Sequence, residues 1–410
     1  MIDLLSLANV ETVSIENRDE TVTIYAKTTY HLANCPNCGG GLYKHGSREY
    51  RYTDTPLYMK PTTIQLNVHR YRCKVCKQVL SDHIACVDES RRCTNRLVQH
   101  IQSHCFRLTF SELSRQIGLS VNTIRNIAQD YLSYLEQSYP RSTPSILGID
   151  EVMIAGEYRC VLTDLEHHRL FDILPTRKQS YLESYFERLP NKENIHTVCS
   201  DMWQPFKNVC AKCLPNTTLV LDRFHVVKLA NEAMESIRKC HQNELDAKGR
   251  KQLKKHLRWL LIKRLAQLSS DDLKTLEVLA KEYPKLVIAY YLKEKFFDIY
   301  EAKDKNAAIL AFFEWTDSID EQATGMYLPE FYRLKQIVKR HFAQTFSYWD
   351  SANKVSNGYT ECVNGLIKLA NRLGRGYGFE MIRARALYGQ IGLNKANKKI
   401  SEEQLGKKLK

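Results

Sequence analysis

The chain has 410 residues, 43% of them hydrophobic and 26% charged, which suits a soluble protein with packed cores in two or three domains and excludes a mostly disordered one. Its 60 Lys and Arg outweigh 46 Asp and Glu, a formal net charge of +14. Apolar runs such as Leu286–Leu292 end in a lysine far short of the ~20 residues that a membrane-spanning helix needs. Met1-Ile2-Asp3 places no basic stretch ahead of an apolar one, so no secretory leader, no membrane partner and a cytoplasmic setting are expected.

A surplus of positive charge calls for an acidic partner, and nucleic acid is the leading one, because each phosphate neutralised by Lys or Arg releases condensed counterions. The surplus is concentrated. Residues 237–264 hold ten basic and two acidic side chains, and residues 360–410 hold eleven and four.

Thirteen cysteines cannot all pair with one another. Without a leader, a reducing compartment is expected. Four of them form Cys35-Pro36-Asn37-Cys38 and Cys73-Lys74-Val75-Cys76, separated by 34 residues. Two residues between thiolates let one tight turn aim both sulfurs at one ion, and two such knuckles offer Zn²⁺ a tetrahedral site. Residues 1–88 therefore read as an α+β zinc-ribbon domain with structural Zn²⁺ on Cys35, Cys38, Cys73 and Cys76. His45, His83 and Cys86 are substitute ligand candidates.

Residues 89–140 read as a helical domain. Leu113 and Ile117 lie one turn apart, Gly118 makes a sharp turn, and Ser120 can cap a second helix. Val121, Ile124 and Ile127 would bury one face of that helix. Asn122, Thr123, Arg125 and Asn126 would stay free for base edges and phosphates, as in a helix-turn-helix that lays its second helix in a major groove. Two prolines within 139–144 mark a linker.

Past the linker, strand-like runs at 145–154, 158–164 and 169–174 are followed by a helix over 178–188, a strand at 195–200 and another at 216–221. That is the element order of a ribonuclease-H-like α/β core, assigned here to 145–228 and 347–395. In such a core the middle of the first strand lies beside the end of the fourth, so Asp150 and Asp201 become neighbours. Strand residues alternate faces, so only one of Asp150 and Glu151 can face the site. Asp201 can also cap a helix over 202–213. A third carboxylate comes from Glu361, in the first turn of a helix that Thr360 can cap. Asn364 lies on the same face, and Lys368 lies one turn further on. Three carboxylates suit a pair of Mg²⁺ or Mn²⁺ ions, the usual agents of phosphoryl transfer on nucleic acid. Residues 229–346 read as an all-helical insertion whose basic half, Arg238, Lys239, Lys248, Arg250, Lys251, Lys254, Lys255 and Arg258, is expected to grip DNA. Residues 396–410 form a basic tail. No phosphate-cradling Gly-x-x-x-x-Gly-Lys-Ser/Thr is present, so nucleotide hydrolysis is not expected.

Over nearly its full length the chain resembles DDE-type insertion-sequence transposases of the group often called ISL-three. The resemblance rests on the double Cys-x-x-Cys ribbon and the helix-turn-helix. It also rests on Leu147-Gly148-Ile149-Asp150-Glu151, Ser200-Asp201-Met202-Trp203, the Leu221–Lys228 run with Asp222 and His225, the Asn357–Lys368 block and Gly376-Tyr377-Gly378-Phe379. After the glutamate the family more often has Gly and a second Asn, where this chain has Cys362 and Gly365. The resemblance implies that Asp150, Asp201 and Glu361 are the catalytic, metal-binding triad. Glu151, Asp222, His225 and Asn364 are expected beside it, and Lys368 and Arg372 on DNA. It further implies binding of double-stranded DNA, both element terminal inverted repeats and target, by a dimer or larger homo-oligomer associated with the bacterial nucleoid. Two other readings stay open at this point: a zinc-finger and helix-turn-helix regulator with an inactive ribonuclease-H-like domain, and a ribonuclease-H-fold DNA nuclease.

Overall fold

The structure is a computed structural model, and it describes residues 7–82, 84–138, 141–244, 256–323, 328–351, 354–374 and 376–389. These fall into two compact units, one of residues 7–138 with 374 and 376–389, the other of residues 141–373.

The first unit opens with β1 (Val10–Asn17), β2 (Val22–Thr28), β3 (Leu42–Leu57), β4 (Lys60–Cys73), β5 (Val79–Ser81), β6 (Val87–Asp88) and β7 (Cys93–Thr94). Their order in the sheet is β1-β2-β4-β3-β7-β6, with β5 on β4. Ile64, Leu66 and Val68 of β4 pack with Val22, Ile24 and Ala26 of β2, the apolar half of alternating strands. The long β3–β4 hairpin turns at Tyr58 and Met59, both with positive φ, as a two-residue turn of matching twist requires. Three helices follow: α1 (Asn95–His104), α2 (Phe110–Ile117) and α3 (Val121–Ser138). The domain expected to be helical over 89–140 thus holds three helices around Leu97, Ile101, Leu113, Ile117, Ile124 and Ile127.

The second unit holds β8 (Ile146–Ile154), β9 (Glu157–Asp164), β10 (Arg169–Leu174), α4 (Gln179–Arg188), β11 (Thr197–Ser200), α5 (Gln204–Cys213) and β12 (Thr218–Leu221). The sheet order is β10-β9-β8-β11-β12. Its first three strands form an antiparallel meander, and β11 and β12 run parallel to β8. Leu147 and Ile149 point to one face, into a core with Phe171, Leu182, Phe186, Val198 and Phe206. Gly148 and Asp150 therefore point to the other.

An all-helical segment comes next: α6 (Arg223–Glu244), α7 (His256–Ile262), α8 (Ser270–Glu282), α9 (Pro284–Ile299), α10 (Lys305–Ala323), α11 (Pro329–Arg340) and α12 (Phe342–Phe346), before α13 (Gly358–Leu373). It has its own aromatic core, including Tyr290, Phe296, Phe312, Trp315 and Phe331. Buried Lys293 caps α7 by donating to the carbonyls of Leu261 and Lys263, and burial lowers its pKa to about 8. The insertion was expected to begin at 229, but α6 runs unbroken from Arg223. Arg238, expected on DNA, is instead buried and ion-paired with Glu235 one turn earlier at 2.8 Å, because it lies on the core-facing side of α6. Lys248, Arg250, Lys251, Lys254 and Lys255 lie outside the described residues, as do 396–410.

The last described helix, α14 (Phe379–Tyr388), was expected in the 347–395 part of the α/β core. It belongs to the first unit. Met381 and Ala384 pack among α1–α3, and Arg385 donates to the carbonyls of Arg107 and Leu108. Tyr377 accepts from the Phe110 amide at 2.7 Å, satisfying a donor at the start of α2.

Candidate functional site

The two knuckles are built alike. The Cys35 amide bonds the Gly40 carbonyl, and the Cys73 amide bonds that of Gln78 five residues on, at 2.9 and 3.0 Å. Gly39 and Lys77 hold equivalent positive φ, 70° and 62°. All four Sγ atoms lie within 4.8 Å of one another, with Cys35–Cys76 at 3.7 Å and Cys38–Cys73 at 3.5 Å. Sulfurs ~2.3 Å from a tetrahedral zinc are about 3.8 Å apart, so the site is already at the ion's dimensions. Although burial raises the Cys73 pKa, amide donation to its sulfur lowers the thiol to about 6. Among the described residues, His45 and Cys86 are not part of this group, and His83 lies outside them.

At the helix-turn-helix, α2 ends at Gly118 in the left-handed region (φ 84°), and the Ser120 hydroxyl accepts from the Thr123 amide at 3.1 Å. Ile124 and Ile127 are buried, Val121 is half-buried, Asn122, Arg125 and Asn126 are exposed, and Thr123 is half-buried. Arg125 donates to Asn122, which pre-arranges two polar groups on the open face.

The acidic site begins with strand register. Ile149 pairs with Ser200, and Ser200 with Leu221. Asp150, Asp201 and Asp222 are the next residues, level with one another across three adjacent parallel strands. Glu151 points away. It pairs with Arg177, whose guanidinium stacks 4.2 Å over Tyr158 and 4.7 Å over Trp203. Asp201 accepts from the Trp203 amide at 3.0 Å, ahead of α5 rather than at its cap.

Fully buried Asp222 makes two bonds. One oxygen accepts from the Asn357 amide and the other from the His225 Nδ1–H, both at 2.9 Å. That bond raises the His225 pKa against the effect of burial, aided by the nearby Asp150 and Asp201 charges. Burial pushes Asp150 up to about 6, with Asp201 and Asp222 adding to the rise. Asp201 and Glu361 are also raised, first by burial. The ligand atoms of Asp222, His225 and Glu361 lie within 4.8 Å of one another. Asp150, Asp201 and Glu361 do not form so tight a group among the described residues; their common neighbour is His225.

Helix α13 brings Glu361. One turn later, Asn364 donates to Asp150 at 2.9 Å, while its own Oδ1 is buried without a donor. Lys368 and Arg372 continue the Glu361 face and are exposed. The helix can approach β8 because position 148 lacks a side chain. A Cβ there would stand 2.3 Å from Thr163 Oγ1, 2.6 Å from Thr360 Oγ1 and 2.8 Å from Asn357 Oδ1. Asn357 donates to the Ile149 carbonyl and accepts from Thr360, which in turn bonds Thr163. Of these frame residues only Thr360 had an expected role, as a helix cap; α13 begins at Gly358, so Thr360 lies inside it and bonds Thr163 and Asn357 instead. The available signals were a glycine inside an apolar strand and an Asn-Gly pair before a helix.

Residues 147–386 match the family model of ISL3-type DDE transposases, described as a transposase. Residues 87–132 match the helix-turn-helix domain of transposase family ISL3, and residues 31–76 match the zinc-finger of transposases IS204/IS1001/IS1096/IS1165. The transposase for insertion sequence element IS1001 of Bordetella parapertussis is 22% identical over 370 residues, 88% of this chain and 89% of that one. The transposase for insertion sequence element IS1557 of Mycobacterium tuberculosis is 25% identical over 259 residues, 56% of each. With the transposase model alone spanning more than half of its length, the chain belongs to the ISL3 family of transposases.

Proposed function

We propose that the chain binds the terminal inverted repeats of an insertion sequence and cuts and joins DNA strands at Asp150, Asp201 and Glu361. The observation that carries this reading is the gathering of acidic side chains from β8, the end of β11 and the first turn of α13 around one imidazole. The strand order and direction favour a ribonuclease-H-like core.

The donor set suits a hard divalent cation. Its carboxylates raise one another's pKa, and the orphaned carbonyl oxygen of buried Asn364 offers a further neutral oxygen. Asp150, Asp201 and Glu361 would hold two Mg²⁺ or Mn²⁺ ions, which would supply activation of the attacking oxygen and stabilisation of the leaving one. Asn364 orients the Asp150 carboxylate. Asp222 fixes the His225 tautomer and ties the Asn357 turn to the sheet, so that α13 delivers Glu361. A protonated His225 offsets part of the acidic charge. Asn122, Thr123, Arg125 and Asn126 read DNA, Lys368 and Arg372 take phosphates, and a dimer or larger assembly holds both ends. Such a protein works in the cytoplasm on nucleoid DNA.

The test is a labelled element end incubated with the full chain and Mg²⁺. Nicking that exposes a 3′-OH, lost on chelation and in Asp201→Asn with end binding kept, is the expected result. Cutting by Asp201→Asn at the wild-type rate contradicts the assignment.

A further inference from the structure

A third grouping of metal-ligating side chains lies in the first unit, apart from the four cysteines: His31, His69 and Asp82, with ligand atoms all within 4.8 Å of one another. Sheet register assembles most of it. β5 pairs antiparallel with β4, Arg70 opposite Ser81, and the Asp82 amide bonds the His69 carbonyl, so Asp82 lies across from His69. Tyr71, two residues along β4, shares the His69 face. His31 comes from the segment between β2 and the first knuckle. Its ring stands edge-on to His69 with centroids 5.0 Å apart, and its Nδ1 is 2.8 Å from the Tyr71 hydroxyl.

Asp82 is the informative member. Its side chain is 1% exposed, and its ionic neighbour among the described residues is His69, Nδ1 to Oδ2 at 3.6 Å. Oδ2 accepts from the Thr28 hydroxyl at 2.9 Å, and that hydroxyl is also 3.1 Å from His69 Nδ1, whereas buried Oδ1 has no hydrogen-bond donor among the described residues. A buried carboxylate with an unsatisfied oxygen is costly unless a cation completes it. Two imidazoles and a carboxylate select a first-row transition metal over Mg²⁺ or Ca²⁺. For bonds of 2.0–2.1 Å, tetrahedral ligands stand about 3.4 Å apart, close to the His69–Asp82 separation.

We propose that His31, His69 and Asp82 bind a second zinc-type divalent ion, distinct from that of the ribbon. It pins the strand-to-knuckle segment to β4 and β5, four residues ahead of Cys35.

The test measures zinc in the full-length chain, reloaded after chelation and dialysed in excess Mg²⁺ to keep zinc from the acidic cluster. His31→Gln, at an exposed position, is expected to hold about one zinc fewer per chain than wild type. In the cobalt-substituted proteins the thiolate charge-transfer bands stay unchanged, and a second set of weaker d–d bands disappears. Asp82→Asn is expected to do the same; should it fail to fold, His31→Gln carries the test alone. Equal zinc content in wild type and His31→Gln, with identical cobalt spectra, overturns the proposal.

Discussion

The cysteine ribbon is a structural zinc site and the acidic cluster the site proposed for Mg²⁺ or Mn²⁺, and the two differ in what holds their side chains before a cation arrives. In the ribbon, local backbone bonds shape two like-built knuckles, and the β3–β4 pairing with the Lys74 amide on the Gly41 carbonyl brings them together, at sulfur spacings of 3.5 and 3.7 Å. The acidic site is assembled from sequence positions more than two hundred apart, Asp150 to Glu361, and its like charges repel. It needs a frame: Gly148 letting α13 approach, Asn357 bridging Asp222 and the Ile149 carbonyl, and Asn364 steadying Asp150. The ribbon is a closed centre whose ion is part of folding, while the acidic site, on the proposed reading, is folded by the protein and left open for chemistry.

That contrast breaks first on metal removal. Structural zinc is worth about 10 kcal/mol or more, so chelation or Cys73→Ser should melt the ribbon and weaken repeat-end binding, while the helical signal of residues 141–373 persists. Circular dichroism with a DNA-binding titration checks this; unaltered end binding in Cys73→Ser would show that the thiolate site is dispensable. Next in size, Asp201→Asn should lower cleavage by roughly 10³-fold or more and leave end binding within a few-fold. The frame is then sharpened by Gly148→Ala, whose Cβ meets three polar atoms that cannot all retreat. A loss of about 2–3 kcal/mol in denaturant unfolding is expected, with no change in zinc content.

Smallest is the pH effect. Asp150 rises from 3.8 to about 6, and Asp201 and Glu361 shift the same way. A carboxyl whose folded pKa is raised binds protons more tightly when folded, so the cluster's own contribution to the stability of the metal-free protein falls as pH climbs from about 4 to 6, by about 1–3 kcal/mol. Added Mg²⁺ should restore it above pH 6 and do little at pH 4.5. Metal-free thermal melts of wild type and Asp150→Asn decide; a wild-type melt that gains on the variant as pH rises through this window would contradict the placement of these charges.

What could be read from sequence follows the same division. Cys-x-x-Cys spacing, the Gly118–Ser120 turn, a carboxylate within an apolar strand (Asp150) and one just after another (Asp201) are local patterns, and the fold displays each. Asp222, Asn357 and Thr163 could not be ranked, because their importance lies in partners up to 208 residues distant, as Asn357 is from Ile149. The place of α14 depends on Met381 and Ala384 finding the α1–α3 core, which periodicity does not specify. Arg238 looked like a DNA contact in a basic run, yet Glu235 one turn away and the core face of α6 claim it.

Glu361 groups most tightly with Asp222 and His225, so its share in holding the metal pair is what a binding measurement must decide. The direct measurement is Mn²⁺ binding to the full chain by electron paramagnetic resonance, in parallel with end cleavage, for wild type and Glu361→Gln. The account predicts about two Mn²⁺ in wild type, fewer in the variant, and no cleavage despite normal end binding. Full Mn²⁺ occupancy and wild-type cutting by Glu361→Gln would contradict it.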